Sequence, residues 1–176
     1  DQPISSYQLV SSCQLMTLLN LDQEHDVSVL PLTPVQRDLC FESELNPDTL
    51  RNSMGMAVHI KTEVDVDRMQ QAIDLISQQH LISRIRLVKT STPYLDSVYQ
   101  VVSKTSSYPL EYRDVVCENW DKTSITQYVH NLLYQPYDVF SDALMSHQII
   151  KIKPSHCVMI FKLNHILLDG AGATFY

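Results

Sequence analysis

Glycine is scarce in this sequence, and what there is concentrates at one place. Only three of the 176 residues are glycine, and two of them, Gly170 and Gly172, lie among the last seven. Glycine adopts positive φ angles and lets a second group approach the backbone closely. Because the chain otherwise avoids it, we expect a tight turn or a close contact, and with it a functional site, near the end of the sequence.

Basic charge and long apolar runs are also scarce, which argues against two classes of partner. The formal net charge is -7, and the basic residues form no stripe that would neutralise a phosphate backbone. Apolar runs such as Val158–Phe161 are too short to span a membrane, and the first residues lack the pattern of a signal peptide. We expect a cytoplasmic protein that contacts neither nucleic acid nor membrane.

The four cysteines, at positions 13, 40, 117 and 157, are far apart and form no CxxC pair. No histidines have the spacing of a zinc-binding helix. The sequence therefore predicts free thiols and no metal site.

Hydrophobic periodicity predicts an α+β order of elements. The predicted helices run from Pro34 to about residue 45, over about 66–80 and over 124–134, and the predicted strands cover 54–60, 83–90, 97–103, 144–152 and 157–163. We expect a mostly antiparallel sheet with helices packed on one face. Residues 1–30 are interpreted as a lead-in or linker. Residues 171–176 look like the first turn of an interrupted helix, which indicates a piece of a longer polypeptide.

One short segment near the end has the composition of a reactive site. His165 follows a predicted buried strand and precedes an Asp169-Gly170 turn. An unperturbed histidine has a pKa of about 6.5, so it accepts and returns a proton at neutral pH, and the end of a strand holds its ring in place. Asp169 would fix the loop by pairing with an arginine. The competing interpretation is a hydrogen-bonded structural histidine.

This segment resembles the HHxxxDG motif of condensation domains from nonribosomal peptide synthetases. The second histidine of the motif falls on His165, the aspartate on Asp169 and the glycine on Gly170, whereas Asn164 replaces the first histidine. Three other segments resemble the family in the same order: residues 32–39 with a proline and a glutamine, residues 80–86 with Arg84 at the family's arginine position, and residues 135–139. In the second of these, leucine and serine at 81 and 83 depart from the family pattern.

The resemblance implies a fold and an architecture. Residues 31–176 would form the N-terminal lobe of a chloramphenicol-acetyltransferase-like domain, and the C-terminal lobe would be absent from this sequence. The reaction channel of such domains runs between the lobes, so the fragment alone is expected to be inactive.

The resemblance also implies an activity, which is amide bond formation between an acyl or peptidyl thioester and an aminoacyl thioester. Both substrates would be carried on the 4'-phosphopantetheine of donor and acceptor carrier (thiolation) domains, with no metal or other cofactor bound directly. The implied partners are these carrier domains, the C-terminal lobe and an adjacent adenylation domain.

The resemblance suggests roles for individual residues. His165 would orient the attacking amine, take its proton or stabilise the tetrahedral centre, and these three roles stay open. Asp169 would be structural, and the backbone N–H near Gly170 is a candidate donor at a helix start. Arg84 and Arg86 would project from one face of a strand towards Asp169, and Arg84 is favoured.

Two other functions remain open. A chloramphenicol-acetyltransferase-like O-acyltransferase would use the same motif on a free alcohol. A catalytically silent lobe would serve as a scaffold or docking surface, and Asn164 keeps this interpretation open because asparagine cannot shuttle a proton.

Overall fold

The computed structural model describes residues 16–17, 27–90, 98–104, 108–141 and 143–168. The helices are α1 (Pro34–Leu45), α2 (Val66–Gln79) and α3 (Lys122–Leu133). The strands are β1 (Val27–Pro31), β2 (Ser53–Ile60), β3 (Ile85–Lys89), β4 (Val98–Ser103), β5 (Glu111–Asp114), β6 (Met145–Lys153) and β7 (His156–Asn164). Short 3₁₀ turns occupy Leu81–Arg84 and Val116–Glu118.

The described strands divide between two sheets. A three-stranded sheet has the order β1-β4-β3, and a four-stranded sheet has the order β2-β7-β6-β5. All pairs are antiparallel except β5 with β6, which is parallel. The predicted α+β class and the mostly antiparallel pairing are confirmed.

Two of the strands were not predicted. The predicted lead-in of residues 1–30 overlaps β1, whose Val27 and Val29 pack against Tyr99 and Val101 of β4. Strand β5 contains four exposed residues, and the backbone pairing with β6 holds it in place. Neither segment is long enough, or alternates clearly enough, to be recognised from periodicity alone.

The largest apolar cluster receives side chains from both sheets. Ile85, Leu87 and Val102 come from the three-stranded sheet, and Met145 and Leu163 come from the four-stranded sheet. The cluster also contains Leu32, Cys40, Val139, Leu144, Ile166 and Leu167. The segment that directly follows β7 is therefore part of the core that joins the two sheets.

Helix α3 covers one face of the four-stranded sheet. Its apolar residues, which recur at three- and four-residue spacing, pack against Ile150, Val158 and Ile160. They are Ile125, Tyr128, Val129, Leu132 and Leu133. The helix was predicted from this spacing, and burial of the apolar face is what stabilises such a helix.

Within the described residues, no helix is both long and apolar enough to cross a bilayer. Cys40, Cys117 and Cys157 are free thiols within the described residues, and Cys117 is exposed while the other two are buried. Cys13, the fourth predicted free thiol, lies outside the described residues.

Gly55 lies where β2 approaches α3 closely. A Cβ on Gly55 would lie 2.5 Å from Leu133 Cδ2 and 2.8 Å from the carbonyl oxygen of Phe161. We expect Gly55→Ala to lower the free energy of unfolding by about 1–3 kcal/mol, since overpacking forces side chains and backbone to shift. Urea denaturation measures this change.

The control is the Gly55→Ala/Leu133→Ala double variant. Removing the leucine side chain relieves the first of the two clashes, so the double variant should lose less stability than the sum of the single losses. Simple additivity would contradict the proposed contact.

Candidate functional site

His165 lies directly after β7, an inner strand of the four-stranded sheet. Its backbone N–H donates to the carbonyl of Asn52 at 2.7 Å, and its side chain is half-buried. Among the described residues, no group hydrogen-bonds to the imidazole ring. The backbone of His165 is thus fixed while its ring keeps its hydrogen-bonding capacity.

Asn164 organises the turn that carries His165. Its side chain is 2% exposed, and its Oδ1 accepts a hydrogen bond from the Ile166 N–H at 3.0 Å. Its carbonyl accepts from the Leu167 N–H at 3.1 Å, and its own N–H donates to Leu144 at 2.8 Å. Such Asx turns are a typical use of asparagine outside helices.

The four N–H groups of residues 164–167 are therefore all occupied within the protein. A backbone donor for a developing oxyanion would have to lie outside this stretch. The side chains of Ile166 and Leu167, 3% and 7% exposed, anchor the turn in the core.

The carbonyl of Ile166 is bound by Gln36 on α1. Gln36 Nε2 lies 3.1 Å from Ile166 O and 3.1 Å from Gln100 Oε1. Gln36 also belongs to the capping box that starts α1: its Oε1 accepts from the Thr33 N–H at 3.0 Å, and its own N–H donates to Thr33 Oγ1 at 3.3 Å. Such a box satisfies N–H groups that would otherwise lack partners.

Asn52 binds the turn from the other side. Its carbonyl accepts the His165 N–H, and its side-chain Nδ2 donates to Ser43 Oγ at 3.2 Å and lies 3.4 Å from the carbonyl of Leu39 on α1. Asn52 is 4% exposed. The two residues that contact the turn, Gln36 and Asn52, therefore both connect it to α1.

The arginines differ from the sequence prediction. Arg84 was predicted on a strand beside Arg86, but it ends the 3₁₀ turn Leu81–Arg84, and the strand begins at the next residue. The turn forms because the buried Ser83 hydroxyl lies within hydrogen-bonding distance of the carbonyls of Ser77 and His80, at the end of α2. Arg84 Nη1 donates to the carbonyls of Ser103 and Lys104 at 2.8 and 2.9 Å, and Arg86 lies on β3.

Asp169 and Gly170 lie outside the described residues. The pairing of Asp169 with Arg84 or Arg86, and the donor N–H near Gly170, thus stay predictions. The contacts observed for Arg84 involve its Nη1, which binds two carbonyls at the end of β4.

Sequence reasoning missed three residues of the site. Gln36 was noted only as part of a family-like segment, while Asn52 and Gln100 were not noted at all. Gln36 and Ile166 are 130 positions apart. No local pattern predicts such a pairing, and the single local signal is the capping sequence around Thr33 and Gln36.

His147 is the other histidine near the core, and its environment is different. It is 4% exposed on β6, its ring is tilted against Phe161 at 4.9 Å, and its Nδ1 has no partner among the described residues. Burial lowers the pKa of His147 to about 4. This histidine is neutral at neutral pH and packs as a core residue.

The arrangement therefore presents one histidine on a rigid turn at the end of an inner strand, which suits hydrogen bonding or proton transfer to a bound substrate. In the described ranges, no group of three or more histidine, cysteine or acidic side chains is placed to hold a metal ion. The class defined by these features is an α+β fold that presents His165 on a turn at the end of an inner strand.

Comparison with known proteins assigns this class to a family. Residues 27–174 match the family model of the condensation domain. The chain belongs to the condensation-domain family.

The curated relatives are peptide synthetases. The chain is 24% identical over 150 residues to gramicidin S synthase 2 from Brevibacillus brevis, which covers 84% of this chain and 3% of that protein. It is 24% identical over 143 residues to surfactin synthase subunit 2 from Bacillus subtilis (strain 168), covering 81% of this chain and 4% of that protein. The chain thus spans only a small part of these relatives.

The fold is also that of a condensation domain. The starter condensation domain of rhizomide synthetase RzmA superposes with a TM-score of 0.74 at 15% identity, covering 84% of this chain and 35% of that one. This similarity confirms the predicted fold.

Asn164 generates a prediction about the turn. Asn164→Ala leaves the buried Ile166 N–H without its acceptor, which should lower the free energy of unfolding by about 1–3 kcal/mol. The matched control is Asn46→Ala, because Asn46 is exposed at the end of α1 and surface changes are usually within about 0.5 kcal/mol. Equal losses in the two variants, measured by urea unfolding, would show that the turn does not depend on Asn164.

His147 generates a prediction about pH. Its folded pKa of about 4 lies below the ordinary value of 6.5, so between these values the unfolded state binds the proton more readily. The stability contributed by neutral His147 is present above about pH 6.5 and is lost as the pH falls towards 4, at up to about 1.4 kcal/mol per pH unit. His147→Leu should reduce this slope.

The control for the pH dependence of stability is the His130→Ala variant, since His130 is exposed on α3. Urea unfolding between pH 4.5 and 7 compares the two variants with the unmodified chain. If His147→Leu keeps the full slope, another group is responsible for it.

Proposed function

We propose that this chain is the N-terminal lobe of a condensation domain that forms amide bonds between carrier-bound thioesters. The observation that carries the proposal is the turn after β7, which fixes the backbone of His165 and leaves its half-buried ring without a partner among the described residues. Membership of the condensation-domain family supports this assignment.

In the proposed reaction, the amine of the acceptor aminoacyl thioester donates a hydrogen bond to the His165 ring and attacks the donor carbonyl carbon. A carbon–nitrogen bond forms and the donor carbon–sulfur bond breaks. The proton lost by the amine passes to His165 and then to the departing thiolate of the donor pantetheine arm. General acid–base catalysis of this kind typically contributes about 10² to 10⁴ in rate.

The position of Asn164 argues against the silent-scaffold alternative. The residue that replaces the first motif histidine is buried, and its side chain is used by the backbone of the turn. A side chain at this position faces the core, so a different residue here would change the shape of the turn more than the reaction at His165. Of the two histidine positions of the motif, 164 and 165, only His165 would therefore act in catalysis.

The proposed partners are the donor and acceptor carrier domains with their 4'-phosphopantetheine arms, a C-terminal lobe and an adjacent adenylation domain. The chain covers 35% of the RzmA condensation domain, which supports a second lobe in the complete protein. The structural role of Asp169, the donor N–H near Gly170 and the cytoplasmic location expected from the sequence belong to the same proposal.

The test is His165→Ala in the full-length protein, with loaded donor and acceptor carriers. Product on the acceptor carrier, measured by mass spectrometry, should fall about 10²- to 10⁴-fold while the thermal midpoint stays near its original value. The matched control is His59→Ala, because His59 is exposed at the opposite end of the four-stranded sheet. Product formation near the original rate, or loss of the folded state, would contradict the catalytic role.

A further inference from the structure

We propose that Gln36 is a positioning residue for His165, an inference that rests on the proposed function. The side-chain amide of Gln36 joins the start of α1 to the turn that carries the histidine. Its role would be to hold the backbone of the turn so that the imidazole ring meets the attacking amine in one orientation.

The amide of Gln36 has three partners, which fix its orientation. Its NH₂ group lies 3.1 Å from both Ile166 O and Gln100 Oε1, and its oxygen accepts from the Thr33 N–H at 3.0 Å. Rotating the amide by half a turn would place its oxygen against two acceptors and its NH₂ group against a donor. Only one orientation satisfies all of these groups.

Gln100 extends this connection to the three-stranded sheet. It is 7% exposed on β4, and its Nε2 donates to the carbonyl of Pro31, the last residue of β1, at 3.0 Å. A chain of side-chain amides therefore runs from β1 through Gln100 and Gln36 to Ile166. These hydrogen bonds are only partly buried, but each amide in the chain has partners, which favours a single arrangement.

The backbone of the turn is held at two neighbouring residues, His165 and Ile166. Asn52 accepts the N–H of His165, and Gln36 donates to the carbonyl of Ile166, the next residue. Between these two contacts the backbone has little freedom, so the direction of the ring is set by its own side-chain torsions. Displacement of a reacting group by about 1 Å can reduce the rate about 10²-fold.

Gln36→Glu separates this role from capping. Glutamate at this position of a capping box still accepts the Thr33 N–H, but it has no N–H for Ile166 O. In the full-length protein with loaded carriers, we expect kcat to fall at least tenfold, with little change in the KM for either carrier. The thermal midpoint should fall as well, because a carboxylate oxygen would then face the two acceptors Ile166 O and Gln100 Oε1. A kcat equal to that of the unmodified protein would overturn the proposal.

Two further variants make the experiment independent of charge and of helix stability. Gln36→Met removes the donor without adding a charge, so it should lower kcat similarly even though it also weakens the cap. Thr33→Ala removes the hydroxyl cap but leaves the contacts of Gln36 with Ile166 and Gln100, so it should lower the thermal midpoint and leave kcat unchanged. If kcat follows the thermal midpoint through all three variants, Gln36 is only a helix cap and the proposal fails.

The His165→Ala background tests whether Gln36 acts through the histidine. Adding Gln36→Glu to His165→Ala should not reduce the residual rate further, whereas the same fold reduction as in the unmodified protein would overturn the proposal. Full activity of His165→Ala would disprove the proposed function and the positioning role together. Loss of activity in His165→Ala with full activity in Gln36→Glu would disprove the positioning role alone.

Discussion

The structure depends on one constraint, which is that the turn after β7 is fixed in the core between the two sheets. Ile166 and Leu167 belong to the apolar cluster that both sheets share, and each N–H of residues 164–167 has an acceptor within the protein. A buried backbone group without a partner costs about as much as a lost hydrogen bond. Moving the turn would thus break both apolar packing and hydrogen bonds.

Helix α1 connects this constraint to the rest of the fold. Its first turn contributes Gln36, and its middle binds the side chain of Asn52. The same helix packs Cys40 into the shared cluster. The site and the core are therefore one unit, and no group in the described part of the chain hydrogen-bonds to the His165 ring. A rigid support of this kind is what a single proton-transfer group needs for effective catalysis.

The sequence predicted the elements that have strong periodicity. Helix α3 and the β6–β7 hairpin follow from apolar residues at regular spacing, because each buries one continuous face. Periodicity did not predict β5, which depends on backbone pairing with β6, or the 3₁₀ turn before β3, which depends on the Ser83 hydroxyl. His165 was predicted from its motif. The contacts of Gln36 and Asn52 with its turn were not, since they join residues that are over one hundred positions apart and carry no local signal.

Amide hydrogen exchange at the turn tests the central claim most directly. If residues 164–167 are held as described, the N–H groups of His165 and Ile166 should exchange as slowly as those in the middle of β7, because all of them open only when the shared core opens. Exchange of the turn amides at the rate of exposed loops, with β7 still protected, would show that the turn moves independently of the core and does not hold the histidine in a fixed position.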